Sequence, residues 1–275
     1  MRLTSNAIMA LGMCILVVAA AFAAAVTFRV PPAVAADQPE EIQMGNQLFE
    51  KLKAQGEVVK TSPLYDKLTP LAAAITKVVQ PQYPYPIHFY IVHEQQPNAF
   101  AAPGGNVYVV DSLFYFVHNT EELAGTICHE TSHLLHHDSV ELMKKDQAIQ
   151  DRAIAATILL GPSIQTALAV TAIARLHSLS YSRTAEEAAD ITGSDTCAKA
   201  GYNPWGLVWL FKDFQNSSLK APPEILSDHP NDQHRINALE NHFKQNPAVF
   251  GKYSSDPSTA VPLNPPKNED EVFLR

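Results

Sequence analysis

Cysteine is scarce in this chain: 275 residues contain three, and Cys14 stands in an apolar stretch near the start. Cys128 and Cys197 alone are too few to build a disulfide scaffold. They are read as two buried thiols, with pairing as the alternative. Positive charge is scarce as well. Twenty Lys and Arg face 28 Asp and Glu, a net charge of −8. That balance excludes a general electrostatic grip on nucleic acid. No internal repeat is visible. Charged residues make up only 17% against 46% hydrophobic, which excludes wholesale disorder and leaves a globular chain. The length suits one large domain or two small ones, with a sizeable core either way.

The first 36 residues stand apart from the rest. Arg2 precedes an uncharged apolar run from Ala7 to Phe28, and Arg29, Pro31, Pro32 and Ala33-Val34-Ala35-Ala36 follow. A basic start, an apolar middle and a small-residue end are the layout of a secretory signal. About twenty apolar residues also suffice for a bilayer anchor. Residues 1–36 are therefore read as a signal peptide cut before Ala36 or Asp37, or as a retained N-terminal anchor. Both place the body, 37–247, outside the cytoplasm.

The body reads as mainly helical with a small patch of strand, an α+β arrangement. Glu41–Gln55 and Thr69–Gln80 are helix-like, the second opened by Thr69 and Pro70 as cap and first turn. Ile87–Val92 and Val107–Val110 are β-branched and aromatic, with Pro103-Gly104-Gly105 between them, and are expected as adjacent strands. Asn119 with Glu122 three positions later forms a capping-box pattern for a helix running to about Asp138. Further helices begin near Ser182 and at Asn203-Pro204. Beyond Phe250 apolar anchors become rare, so 248–275 is expected to be a flexible tail.

The chemistry concentrates at His129-Glu130-Thr131-Ser132-His133. On a helix, positions i and i+4 share a face, so both imidazoles reach one ion with Glu130 beside it. Neutral imidazole suits zinc, and a catalytic site wants a third protein ligand and a place for water. Downstream, Glu186 and Asp190 are again four apart. Glu186 is the candidate third ligand, and Asp190 the acceptor for the free ring N–H of a zinc histidine. The plain alternative is a solvated acidic helix face.

Taken together, these residues resemble the gluzincin metallopeptidases of peptidase family M48. The resemblance rests on Asn98–Gly105 with Val107-Tyr108-Val109, on the His129–His133 block, on Ser182–Asp190, on Gly201-Tyr202-Asn203-Pro204, and on Ser227-Asp228-His229-Pro230 with Arg235, Ile236 and Leu239. It covers about Glu40 to Phe243, in the family's order. It implies a mainly helical zincin-like fold with a small sheet beside the active-site helix, and one zinc held by His129, His133 and Glu186. Glu130 would act as general base on a zinc-activated water. His229 would donate to the oxyanion or close the metal's open position at rest, against a turn-capping histidine. Arg235 would support the same wall, against a surface ion pair. The implied activity is zinc-dependent endoproteolysis of unfolded or misassembled envelope proteins in the bacterial periplasm, with contact to outer-membrane assembly machinery. The alternative is a chaperone whose zinc site is normally shut.

The Gly104-Gly105 turn with Val107 and Tyr108 fits substrate binding by strand addition along an exposed edge. His136 and His137 are read as helix-end residues favoured by the dipole. Ala153 to Ala174 is uncharged and interrupted by Gly161-Pro162. It is expected as two apolar helical pieces over the zinc helices; this stretch and 7–28 are the candidates for membrane contact.

Overall fold

The computed structural model describes residues 39–145, 148, 181–216 and 233–267. The proposed signal at 1–36, the apolar stretch 153–174 and His229 lie outside them. Among the described residues no helix is long and apolar enough to cross a membrane.

In chain order the elements are α1 (Glu40–Ala54), β1 (Val58–Val59), α2 (Tyr65–Val79), β2 (His88–Val92), β3 (Ala99–Ala102), β4 (Asn106–Val110) and α3 (Leu113–Phe116). Then follow α4 (Thr120–Leu135), α5 (Arg183–Ala200), α6 (Trp205–Asn216), α7 (Gln233–Gln245) and α8 (Pro247–Phe250). The mainly helical α+β reading holds.

Helix α2 starts a turn earlier than expected, so Pro70 lies inside it rather than at its first turn. The buried residues Leu68, Leu71, Ala72, Ile75 and Val79 recur at helical spacing. One apolar stripe against the core outweighs the single backbone bond that Pro70 cannot donate.

The sheet runs in the order β1-β2-β4-β3. β2 and β4 are parallel, in register from His88 with Asn106 to Val92 with Val110. β3 returns antiparallel beside β4, Ala99 opposite Val109 and Ala102 opposite Asn106. The expected neighbours are thus neighbours. β4, however, is hydrogen-bonded on both sides and buried at all five residues. Val107 and Tyr108 cannot offer an edge; Tyr108 is stacked on Phe100 and Tyr90 in the interior. Among the described strands the outer edge on this side belongs to β3. Gly104 and Gly105 form the turn between β3 and β4. Both have positive φ, and a Cβ on Gly105 would stand 2.1 Å from the carbonyl oxygen of Pro86. Only glycine permits this turn, which packs under α1.

Helix α4 forms the centre. Asn119 caps it by accepting from the Glu122 N–H at 2.9 Å, and Glu122 in turn accepts from the His118 N–H at 2.7 Å. All residues from Glu122 to Leu134 are buried, between the sheet on one side and α5 and α6 on others. α5 starts as expected, with the Ser182 hydroxyl accepting from the Ala185 N–H. It comes so close to α4 that a Cβ on Gly193 would stand 3.0 Å from the Cα of His129. The sulfurs of Cys128 and Cys197 are joined as a disulfide across the same contact, Cα to Cα 5.8 Å. This corrects the expectation of two separate thiols. Both cysteines are buried where Gly193 lets the two helices come close.

The stretch after Phe250 was expected to be loose because it is poor in apolar residues. Its backbone is nevertheless bonded to the body as far as Leu263. Tyr253 donates to the Ala198 carbonyl, Asn203 and Trp209 donate to the Ser254 and Ser255 carbonyls, and Leu263 N–H donates to His118. Leu263 is buried. Polar side chains and backbone carry this strap, a kind of attachment that composition does not report.

Candidate metal centre

α4 supplies two imidazoles from one face because His129 and His133 are one helical turn apart. Their Nε2 atoms face each other at 3.1 Å. Glu186, four positions into α5, brings one carboxylate oxygen to 3.5 Å from His129 Nε2 and the other to 3.5 Å from His133 Nε2. The three side chains are buried, and their ligand atoms lie within 4.8 Å of one another. Donors about 2.05 Å from a tetrahedral zinc are separated by about 3.3 Å, so these spacings fit that ion. The donor chemistry fits as well: two imidazoles and one carboxylate, with the remaining direction left for water.

The surroundings fix each of these groups. His129 Nδ1 lies 3.1 Å from Asp190 Oδ1, as the spacing of Glu186 and Asp190 suggests. Arg235 is buried rather than part of a surface pair. Its guanidinium holds Asp190 at 2.6 Å and 2.7 Å and reaches Glu186 Oε2 at 2.7 Å, with Phe211 beneath it at 4.5 Å. α7 therefore locks both acids of α5 through one planar cation. Burial pushes the Asp190 carboxyl up, but Arg235 and His129 beside it hold it below the usual carboxylate range. For His129 burial pulls the other way from its neighbours. Desolvation disfavours the charged ring, and Asp190 and Glu186 overcome it, raising the imidazole to about 10. Without metal this pocket attracts a proton, which is what an anionic cradle for a cation should do.

Glu130 is fully buried on α4 between the two histidines. Two further residues touch the site that spacing did not reveal. Tyr181, immediately before the cap of α5, lies flat on the His133 ring, centroids 3.9 Å apart and planes 9° apart. Asp138 places Oδ2 2.9 Å from His133 Nδ1. An aromatic residue two before Arg183 carries no metal signal of its own, and Asp138 stands at an interval no regular helix would bring back.

His137 pairs with Glu41 at 3.1 Å and has a positive φ. His136 lies 3.1 Å from the Thr192 hydroxyl. Both belong to the helix end, as the sequence suggests. Glu41 also accepts from the Tyr83 hydroxyl and the Gly104 N–H. One acid of α1 thus ties the β3–β4 turn to the end of α4.

A second group of ligand-type residues, His118, Glu122 and Asp213, gathers at the other end of α4. There Glu122 is engaged in the helix cap, and the His118 side chain is 72% exposed. Among the described residues no buried cation closes that group as Arg235 closes the first.

Residues 64–242 match the model of peptidase family M48. The beta-barrel assembly-enhancing protease of Yersinia pestis is 26% identical over 216 residues, 75% of this chain and 44% of that protein. That of Escherichia coli strain K12 is 24% identical over 227 residues, 79% of this chain and 46% of its own. The mitochondrial metalloendopeptidase OMA1 of Schizosaccharomyces pombe is 26% identical over 153 residues, 55% of this chain and 45% of that protein. The chain spans less than half the length of these relatives. With the family model covering well over half the sequence and the ligand residues converging inside the matched region, the chain belongs to peptidase family M48.

Proposed function

We propose that this protein is a zinc-dependent endopeptidase acting on unfolded or misassembled proteins of the cell envelope. The observation that supports it most is the buried convergence of His129, His133 and Glu186 at 3.1–3.5 Å, with Asp190 and Arg235 behind it. One zinc bound there would supply Lewis-acid polarisation of a peptide carbonyl and an acidified water. Glu130 is the general base: placed next to His129 on the same helix, it takes a proton from the attacking water and returns one to the leaving amine. His129 and His133 each have Nδ1 turned to a carboxylate, Asp190 and Asp138 respectively.

β3 is the edge along which an extended substrate pairs. Its inner groups bond to β4, and by antiparallel alternation the amide and carbonyl of Ala101 point outward. Pairing through backbone groups gives affinity with little demand on side chains, which suits unfolded clients. His229 is proposed as oxyanion donor or resting-state ligand. The location proposed is the bacterial periplasm. The Cys128–Cys197 pairing supports it, since disulfides persist in oxidising compartments. The names of the Yersinia pestis and Escherichia coli relatives support a link to outer-membrane assembly.

The test compares wild type with Glu130→Gln on casein and on an unfolded porin, with zinc bound to both. The expected result is a loss of about 10²–10⁴-fold in cleavage with zinc retained. Equal cleavage by both rejects Glu130 as the base. A wild type that cleaves nothing, suppresses client aggregation, and begins to cleave on His229→Ala supports the chaperone reading instead.

A further inference from the structure

The two histidines of the cradle stand on one helix but find their supporting acids in different ways. His129 uses Asp190 across the helix contact. His133 uses an acid from its own stretch of chain, five residues on, with Nδ1 2.9 Å from Asp138 Oδ2. Five is the wrong interval for a helix. Positions i and i+5 lie about 140° apart around the axis, so an unbroken α4 would carry Asp138 away from His133.

The chain solves this by stopping. α4 ends at Leu135, and His137 takes the left-handed backbone at φ 57°. The reversal returns Asp138 beneath His133 as the first residue of a new helical stretch, 138–145, whose first turn hangs from the His137 carbonyl through Val140 N–H at 3.1 Å. A carboxylate is favoured at that position by the N–H groups of the new helix. A left-handed backbone is unfavourable for a non-glycine residue and persists only where neighbours hold it. Here Glu41 holds the His137 ring at 3.1 Å. His136 flanks the same carboxylate, 3.7 Å from Oδ2, and is itself bonded to Thr192 of α5.

We infer that Asp138 is a positioning residue of the metal site: its carboxylate fixes the tautomer and rotation of His133 and strengthens that ring as a zinc ligand. Tyr181 determines the plane of the ring by stacking, and Asp138 determines its orientation within that plane. With Nδ1–H donated to the acid, the Nε2 lone pair faces His129 and Glu186. Each histidine of the cradle thereby has its own carboxylate, one from α5 and one from the turn that closes α4. The inference rests on reading His129, His133 and Glu186 as the zinc cradle.

The full chain is stripped of metal and titrated with zinc against a competing chelator, as wild type, Asp138→Ala and Asp138→Asn. Cobalt(II) is then loaded in place of zinc to read the visible absorption bands. Asp138→Ala is expected to weaken zinc binding about 10–100-fold and to shift the cobalt bands. Asp138→Asn keeps an acceptor without the charge and is expected to fall between. Equal zinc affinity and identical cobalt spectra in wild type and the alanine chain, both folded by circular dichroism, overturn the inference. If the alanine chain does not fold, the asparagine chain decides: a loss of at least about threefold with shifted bands supports the inference, and wild-type behaviour overturns it. A wild type that takes up no zinc overturns the cradle itself and this inference with it. A wild type that binds zinc beside unaffected variants overturns the inference alone.

Discussion

At the residue scale the site is a balance between one cation-seeking pocket and the protons that compete for it. His129 is held between Asp190 and Glu186, and in the zinc-free chain its ring titrates at about 10 despite burial. Zinc needs that ring neutral, so metal uptake displaces a proton over the whole neutral range. Apparent zinc affinity is therefore expected to rise by about tenfold per pH unit between about pH 6.5 and 8.5, measured by chelator competition at fixed ionic strength. A flat profile contradicts the protonated ring. The sign for folding is opposite. A raised imidazole stabilises the zinc-free fold fully below about pH 6.5, and that contribution is lost as pH rises through about 10. His129, His133, Glu186 and Asp190 were all legible in the sequence, because helical spacing places each pair on one face. Asp138 and Tyr181 were not. One depends on a left-handed residue that no local pattern announces, the other on how α5 enters the site.

At the element scale the site is the seam between α4 and α5. Gly193 lets the helices meet, Cys128 and Cys197 join them, and Arg235 of α7 holds the acids from behind. The disulfide closes a loop of 69 residues in sequence separation. Its removal in a Cys128→Ala, Cys197→Ala chain is expected to cost about 2–4 kcal/mol in denaturant unfolding. Reductant should lower wild type toward the double variant and leave the variant unmoved. A wild type indifferent to reductant, with the sulfurs shown to be accessible to it, contradicts the pairing. The helix caps at Asn119 and Ser182 were readable because capping is local chemistry. The pairing of the cysteines and the place of β4 inside the sheet were not, since both are decided by what packs on the far side. Val107 and Tyr108 have the composition of either an edge or a core strand. Only β3, short and alanine-rich, decides which.

At the scale of the whole molecule, a late segment of the chain reinforces the start of α4. Residues 253–263 bond to α5, α6 and the cap of α4, and Glu121 of that first turn accepts from the Val261 N–H at 3.0 Å. Leu263→Ala, at a buried position, is expected to destabilise the fold by about 2–5 kcal/mol with zinc content unchanged. An unchanged denaturant midpoint contradicts a packed strap. Composition suggests a tail because apolar residues are few here, whereas backbone pairing at Asn119 and Pro262 fastens the segment together with buried Leu263. The fold class was visible in two strands bracketing a Pro-Gly turn and in capped helices; the short strands β1 and β3 were not expected from composition.

The central claim is that two imidazoles of α4 and one carboxylate of α5 together hold a single zinc ion. Metal content of the purified full chain, before and after Glu186→Ala, measures it directly, with circular dichroism confirming that both are folded. Near one zinc per chain in wild type and near none in the variant is the expected result. Zinc retained without Glu186, or absent from a folded wild type, contradicts the account.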